Sequence, residues 1–465
     1  MKNDLSGEYI LMKSLKLSSI HLIPLSFLIT IVVGGLILML PVSSYDGSWS
    51  GFITSLFTST TSTCVTGLTV VNISKEYSLF GQIIILLLIQ IGGLGVITVV
   101  SMIMLITQKK FSIADRKMLQ DSLNLQTDVG VLRLLIRIFK DVAEVETFGA
   151  VLYSIVFVPE YGAIKGVWYS IFTSISAFCN AGIDVFGDTS LSDYSSNTLV
   201  MATTMFLIVM GGLGYVVWFD MSEKIKYGIK KRYNPWVIIK RFNEHTKLVL
   251  SVTLALIMIG AIMVFLAEYK NPNTIGEYSL YDKIINSLFE SITFRTAGFS
   301  SFAQEKMTDV SCVTSYLLMF IGGSPVGTAG GVKTVTIYLS LLNIISYIRD
   351  DTQTIVFERR VTEESMRKAT VIVSVAAFTI VVLTLALIST NPIGLQDGLY
   401  EVISASATVG LTRGLTGNLN TIGRIIIIVA MYLGRIGPIS LAIFFAGKRH
   451  KNDKCRYLEG SFFVG

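Results

Sequence analysis

Thr63-Cys64-Val65-Thr66-Gly67 is the first of four short stretches built to one plan. The others are Phe178-Cys179-Asn180-Ala181-Gly182, Phe294-Arg295-Thr296-Ala297-Gly298 and Ser406-Ala407-Thr408-Val409-Gly410. Each ends a helix-like stretch in a loop of small residues that closes on glycine. Successive glycines lie 115, 116 and 112 residues apart, a nearly constant period. Self-similarity at a fixed period indicates copies of one structural unit. A glycine-ended loop between two apolar stretches, four times over, is what a ring of backbone carbonyls around a cation requires. The pattern implies an ion pore folded from a single polypeptide.

The rest of the chain suits that reading. With 465 residues, 52% hydrophobic and 15% charged, it is too apolar for an ordinary soluble protein. Stretches of about 20 apolar residues, enough to cross a bilayer, fall at 20–40, 79–106, 142–158, 198–219, 248–266, 313–345, 370–389 and 422–445. The fold class expected is an all-α membrane protein of about eight transmembrane helices. Four tandem span–pore helix–span units would surround a central pore with pseudo-fourfold symmetry. The first span reads as an uncleaved anchor, being longer than a signal-peptide core and followed by no small-residue cleavage site.

Basic residues set the expected orientation. They gather after the second span (Lys109, Lys110, Arg116, Lys117), after the fourth (Lys224, Lys226, Lys230, Lys231, Arg232) and after the sixth (Arg349, Arg359, Arg360, Arg367, Lys368). Positive loops stay in the cytoplasm, so both termini are placed inside a bacterial cell membrane and the glycine loops open outside. The expected order is an N-terminus over 1–19, units over 20–108, 141–219, 248–346 and 369–446, cytoplasmic segments over 109–140, 220–247 and 347–368, and a cytoplasmic tail over 447–465. The formal charge of +6 is thereby accounted for without nucleic acid, and membrane lipid is the expected surrounding. The three histidines are far apart, and no CxxC pair, GxGxxG or Walker sequence occurs. Neither an enzyme nor a cofactor bound by this chain is expected.

Each unit holds a short segment before its glycine, at 49–62, 168–177, 280–293 and 395–405. At about 10–14 residues these are too short to span and read as re-entrant pore helices. Non-helical backbone at membrane depth survives only where protein or a water-filled cavity surrounds it, and a permeating cation is a natural partner for its carbonyls. The expected filter is Val65, Thr66 and Gly67; Asn180, Ala181 and Gly182; Thr296, Ala297 and Gly298; and Thr408, Val409 and Gly410. Glycine serves there because a lumen-lining strand needs unusual backbone angles and no side chain.

A second repeated element lies 24 to 29 residues beyond each glycine: Gly92-Gly93-Leu94-Gly95, Gly211-Gly212-Leu213-Gly214, Gly322-Gly323-Ser324-Pro325 and Gly434-Arg435-Ile436-Gly437. Two of these differ from the rest. The third continues as Val326-Gly327-Thr328-Ala329-Gly330-Gly331, and glycine and proline cost about 1 and 3 kcal/mol each in a helix interior. Residues 322–331 should therefore break the span into a mobile plug below the filter. The fourth carries Arg435 where the others have glycine. At membrane depth an arginine costs at least about 2.5–3.5 kcal/mol, so Arg435 is expected to hold the carbonyls of the broken segment as part of the barrier. Of the remaining charges, Asp141, Glu144 and Glu146 are expected at the interface, Glu290 and Glu401 behind the filter, and Arg295 tied to a neighbouring carboxylate.

The fourfold repeat, the filter glycines, the break in the sixth span and the arginine in the last resemble the Trk/Ktr/HKT potassium transporters over essentially the whole chain. The absence of extra N-terminal spans is similar to the Ktr branch, and glycine in all four loops matches its potassium-selective pattern. The resemblance implies sodium-stimulated bacterial potassium uptake, with potassium in the filter as the only metal ion. It implies a homodimer with one pore per protomer and an apolar C-terminal tail, 454–465, at the dimer contact. It also implies a cytosolic RCK-type regulatory ring that binds ATP or ADP. A coupled sodium–potassium symporter is the alternative.

Overall fold

The computed structural model describes residues 19–107, 119, 131–187, 190–350 and 353–437. The same sequence of elements recurs four times along it. Outer helices run over Ser19–Met39, Val131–Tyr161, Glu244–Glu268 and Glu363–Thr390. Each is followed by a shorter helix, at Phe52–Cys64, Ala163–Phe178, Leu280–Thr293 and Leu395–Ser406. A loop then leads to an inner helix, at Leu79–Leu94, Thr198–Leu213, Asp309–Phe320 and Thr421–Ile436. The four sets are called quadrants one to four below.

Polarity is arranged inside out. The outer helices expose large apolar side chains, among them Leu36, Ile155, Leu254 and Phe378. The helix Phe52–Cys64 instead buries every residue from Thr58 to Thr63, all of them Ser or Thr. An apolar exterior costs nothing in hydrocarbon, whereas polar groups there must find partners within the protein. Outer and short helices meet through a small-residue contact. Ser59 Oγ donates to Ile31 O at 2.7 Å, Ser174 Oγ to Glu146 O at 2.6 Å and Ser291 Oγ to Ile257 O at 2.7 Å. Beside each bond Gly34, Gly149 or Gly260 lies so close that an added Cβ would overlap the serine side chain. Close backbone approach through small residues is how helices pack in lipid.

Two expected spans are not continuous. Leu79–Leu94 and Val96–Ile106 meet at 100°, as do Thr198–Leu213 and Tyr215–Lys230. The breaks fall on Gly95 and Gly214, at φ +89° and +86°, a conformation that residues with a Cβ rarely adopt. By length and composition four described helices can cross a membrane, or six if each bent pair is one span. The expected span over 313–345 is divided between Asp309–Phe320 and Thr334–Ile348. Of the expected last span, 422–445, the part to Ile436 lies in the helix Thr421–Ile436, and residues 438–445 lie outside the described residues.

Three acidic residues of the second outer helix separate. Asp141 and Glu144 pair with Arg137 and Lys140 on its exposed face. Glu146 is not interfacial as expected but buried, and accepts a bond from Gln90 Nε2 at 3.2 Å. One helical turn carries its side chain inward against the first inner helix.

Candidate ion pathway

The four glycine loops have one backbone form. Val65, Asn180, Thr296 and Thr408, each two residues before its glycine, have φ of +56°, +60°, +71° and +52°. Left-handed backbone costs a non-glycine residue roughly 1–2 kcal/mol, and three of these four are β-branched. Strain repeated at one register marks a site that the surrounding fold enforces. The glycines follow at φ +101°, +63°, +84° and +98°.

These loops meet as a ring. A Cβ added to Gly182 would lie 2.5 Å from Ala297 O, and one on Gly298 2.6 Å from Val409 O. On Gly410 it would overlap Thr66 O, and on Gly67 it would overlap Ala181 O. Each loop thus abuts the next in chain order, and the fourth returns to the first. The carbonyl before each glycine occupies the space a side chain would need. The buried hydroxyls of Thr66, Thr296 and Thr408 have no hydrogen-bond partner among the described residues. All the expected filter residues belong to these loops.

What braces the ring was only partly foreseen. Glu290 accepts from Ser301 N at 2.8 Å, Ser301 Oγ at 2.9 Å and Gln304 Nε2 at 3.1 Å. Glu401 accepts from Thr412 Oγ1 at 2.8 Å and from Thr416 Oγ1. Both carboxylates hold the strand leaving their loop, as expected of supports behind it. The hydroxyl tethers were missed. Gly67 N donates to Thr61 Oγ1 at 3.0 Å and Gly410 N to Ser404 Oγ at 3.1 Å. Ser176 Oγ both accepts from Ile183 N and donates to its carbonyl, at 3.0 and 2.6 Å. Thr61, Ser176 and Ser404 all stand six residues before a glycine, and that shared register was the available signal. In the third loop Thr293, one place later, donates to Phe299 O.

On one side of the ring opens a vestibule of about 730 Å3, lined by all four glycines together with Asp184 and Glu305. On the other side the chain from Ile321 to Lys333 is not helical. It leaves and re-enters its own quadrant through Gly322 N to Val332 O at 3.0 Å and Thr334 N to Gly323 O at 3.1 Å. Between those points it reaches two neighbouring quadrants. Ser324 N donates to Gly212 O at 2.9 Å, Thr328 N to Gly211 O at 3.1 Å, and Val326 O accepts from Tyr215 N at 3.1 Å. A Cβ on Gly330 would strike Thr408 Oγ1 and lie 2.8 Å from Ala407 O. A segment of the third quadrant therefore touches the second and the fourth, which face each other across the ring.

Arg435 donates to Thr328 O at 2.6 Å, to Gly92 O and, at 3.4 Å, to Gly93 O. It joins the broken segment to the first quadrant as well, an attachment the sequence reading lacked. Two more cations hold the segment. Lys333 Nζ donates to Ala329 O at 2.6 Å. Arg295 Nη2 donates to Gly322 O at 3.2 Å, so its partner is a carbonyl of the segment and not the carboxylate expected. A broken helix leaves several carbonyls without backbone partners, and these outbid a distant acid for the guanidinium.

Four glycine loops closed into a ring within helices of apolar exterior are the arrangement of a multi-pass membrane protein. The family described as "TrkH: Cation transport protein" matches residues 24–455, and the chain belongs to it. It is 37% identical over 446 residues to the Ktr system potassium uptake protein B of Bacillus subtilis, covering 96% of each chain. It is 36% identical to the potassium/sodium uptake protein NtpJ of Enterococcus hirae, over 97% of this chain and 98% of that one. The fold is similar to the crystal structure of the potassium transporter TrkH from Vibrio parahaemolyticus, with a TM-score of 0.73 at 18% identity over 92% of this chain and 85% of that one. At that identity the likeness concerns the fold alone.

Proposed function

We propose that this protein takes up potassium across the bacterial cell membrane through a passive, gated, potassium-selective pathway. Residues 65–67, 180–182, 296–298 and 408–410 form its filter, and residues 322–331 with Arg435 form its gate. The observation that carries the reading is the closed succession of loop contacts from Gly67 round to Gly410. Carbonyls presented from four sides replace an ion's hydration shell. The names of the Bacillus and Enterococcus relatives support potassium as the ion. Sodium stimulation and control by a cytosolic nucleotide-binding RCK ring belong to the same reading, with the basic segments on the cytoplasmic side facing that ring.

A coupled symporter would hold its ions at helix breaks carrying acidic residues. The breaks at Gly95, Gly214 and 321–333 include no carboxylate, which favours the passive pathway. The test is rubidium-86 flux and reversal potential in proteoliposomes. Flux should follow the potassium gradient, with a reversal potential that a tenfold sodium gradient moves little. A reversal potential set jointly by both gradients at fixed stoichiometry would favour the symporter.

The protomers are proposed to pair, with the tail 454–465, which lies outside the described residues, at the contact. It ends in Phe462, Phe463 and Val464. Burying two or three such side chains contributes about 1.5–3 kcal/mol each, so its removal should weaken the dimer at least about tenfold. Mass photometry over a dilution series in detergent reads this directly. A truncated chain that dissociates no sooner than the parent would remove the tail from the contact.

A further inference from the structure

The flank between quadrants one and two carries a lateral groove of about 540 Å3 that the ion pathway does not use. Its walls are the start of Leu79–Leu94, the first turns of Ala163–Phe178 and the loop holding Tyr45. A volume in the range of about 300–1,000 Å3 is that of a small-molecule site. The lining mixes three kinds of side chain. Lys165 supplies one cation and has no salt bridge among the described residues. Tyr45 and Trp168 supply aromatic rings, and Trp168 is fixed by its Nε1 donating to Gln82 Oε1 at 2.8 Å. Leu79, Ile164 and Ile171 supply apolar surface, exposed by 60%, 89% and 38%. That much uncovered apolar surface around a single cation is unsuited to water and suited to the polar–apolar boundary of a bilayer, where lysine and aromatic side chains turn their polar ends to the headgroups.

We propose that this groove holds one anionic phospholipid from the leaflet on the glycine-loop side. Its phosphate pairs with Lys165, and an acyl chain lies along Leu79, Ile164 and Ile171 beneath Trp168. The inference rests on the membrane reading of these helices and not on ion conduction. Rubidium flux measured on the same preparation keeps the two apart.

The test is native mass spectrometry of delipidated protein titrated with phosphatidylglycerol or phosphatidylcholine. One lipid should bind with about a fivefold preference for phosphatidylglycerol, the effect of one lysine near an anionic headgroup. Lys165→Gln, a change at the groove rim, should erase that preference and keep the apolar binding. Ile171→Trp, which fills the groove, should abolish tight binding of both lipids. Equal binding of the two lipids by the parent, or an undiminished preference in Lys165→Gln, would overturn the proposal. So would displacement of the lipid by inorganic phosphate, which would make this a free-anion site. A change of oligomeric state in Ile171→Trp would also overturn it, by assigning the groove to a second copy of the chain.

Discussion

Serine in place of Gly182 should reduce the preference for potassium over sodium by about tenfold or more. The same loss is expected at Gly67, Gly298 and Gly410. Each glycine has positive φ, where a residue with a side chain costs about 1–2 kcal/mol, and a 1.4 kcal/mol difference is a factor of ten. Each also faces the carbonyl of the next loop with no room for a Cβ; on Gly182 it would sit 2.5 Å from both Ala297 O and Gly298 Cα. Backbone must give way, and the atoms displaced are the carbonyls proposed as ligands. A ring crowded and distorted in this way no longer replaces the larger ion's hydration shell closely, and the preference that rested on that fit falls. Competition of sodium and potassium against rubidium-86 uptake measures the ratio. If all four variants keep the parent's affinities, the filter lies elsewhere.

Deleting residues 324–328 should raise basal rubidium flux the most, and Arg435→Ala should raise it by about thirtyfold. Hydrogen bonds to a charged group contribute about 1.5–3 kcal/mol, and a loss of about 2 kcal/mol from a dominant closed state multiplies the open population roughly thirtyfold. The deletion has the larger effect because it also removes the bonds to Gly211, Gly212 and Tyr215. Lys333 and Arg295 still hold the two ends of the segment after Arg435→Ala, which keeps that variant below the deletion. Combining the two should add little beyond the deletion, since both act on one barrier. Flux in vesicles lacking any cytosolic partner is the measurement, with dimerisation checked in parallel. Parental flux in both variants, properly assembled, would place the gate outside this segment.

The repeat was legible because period, glycine spacing and short-helix length are properties of sequence. The break after Phe320 was legible for the same reason, as five glycines and a proline fall within ten residues. The bends at Gly95 and Gly214 were not. Gly-Gly-Leu-Gly inside an apolar run suits a packed helix as well as a broken one, and the difference lies in what meets it. A Cβ on Gly92, Gly211 or Gly434 would strike the carbonyl of Thr63, Phe178 or Ser406 at the end of a short helix. Long-range partners were hidden likewise. Arg435 reaches Gly92 and Gly93 more than three hundred residues earlier, and nothing local ranks those carbonyls above Thr328. Lys333 is not legible either, since in sequence it is only the residue before the helix Thr334–Ile348, and its bond to Ala329 O depends on how the segment folds back.

One chain supplying all four sides has a consequence for how such a pathway can change. In a channel of four identical subunits every substitution is made four times, so an arginine beneath the filter would put four positive charges around the axis. Here Arg435 occurs once, opposed by Gly93, Gly212 and Gly323 at the matching places. The segment proposed as the gate also occurs once, so no second, third and fourth copy competes with it for the same space. With all four sides on one chain, each can carry a different residue at a matching place, as Arg435 and the stretch 321–333 do.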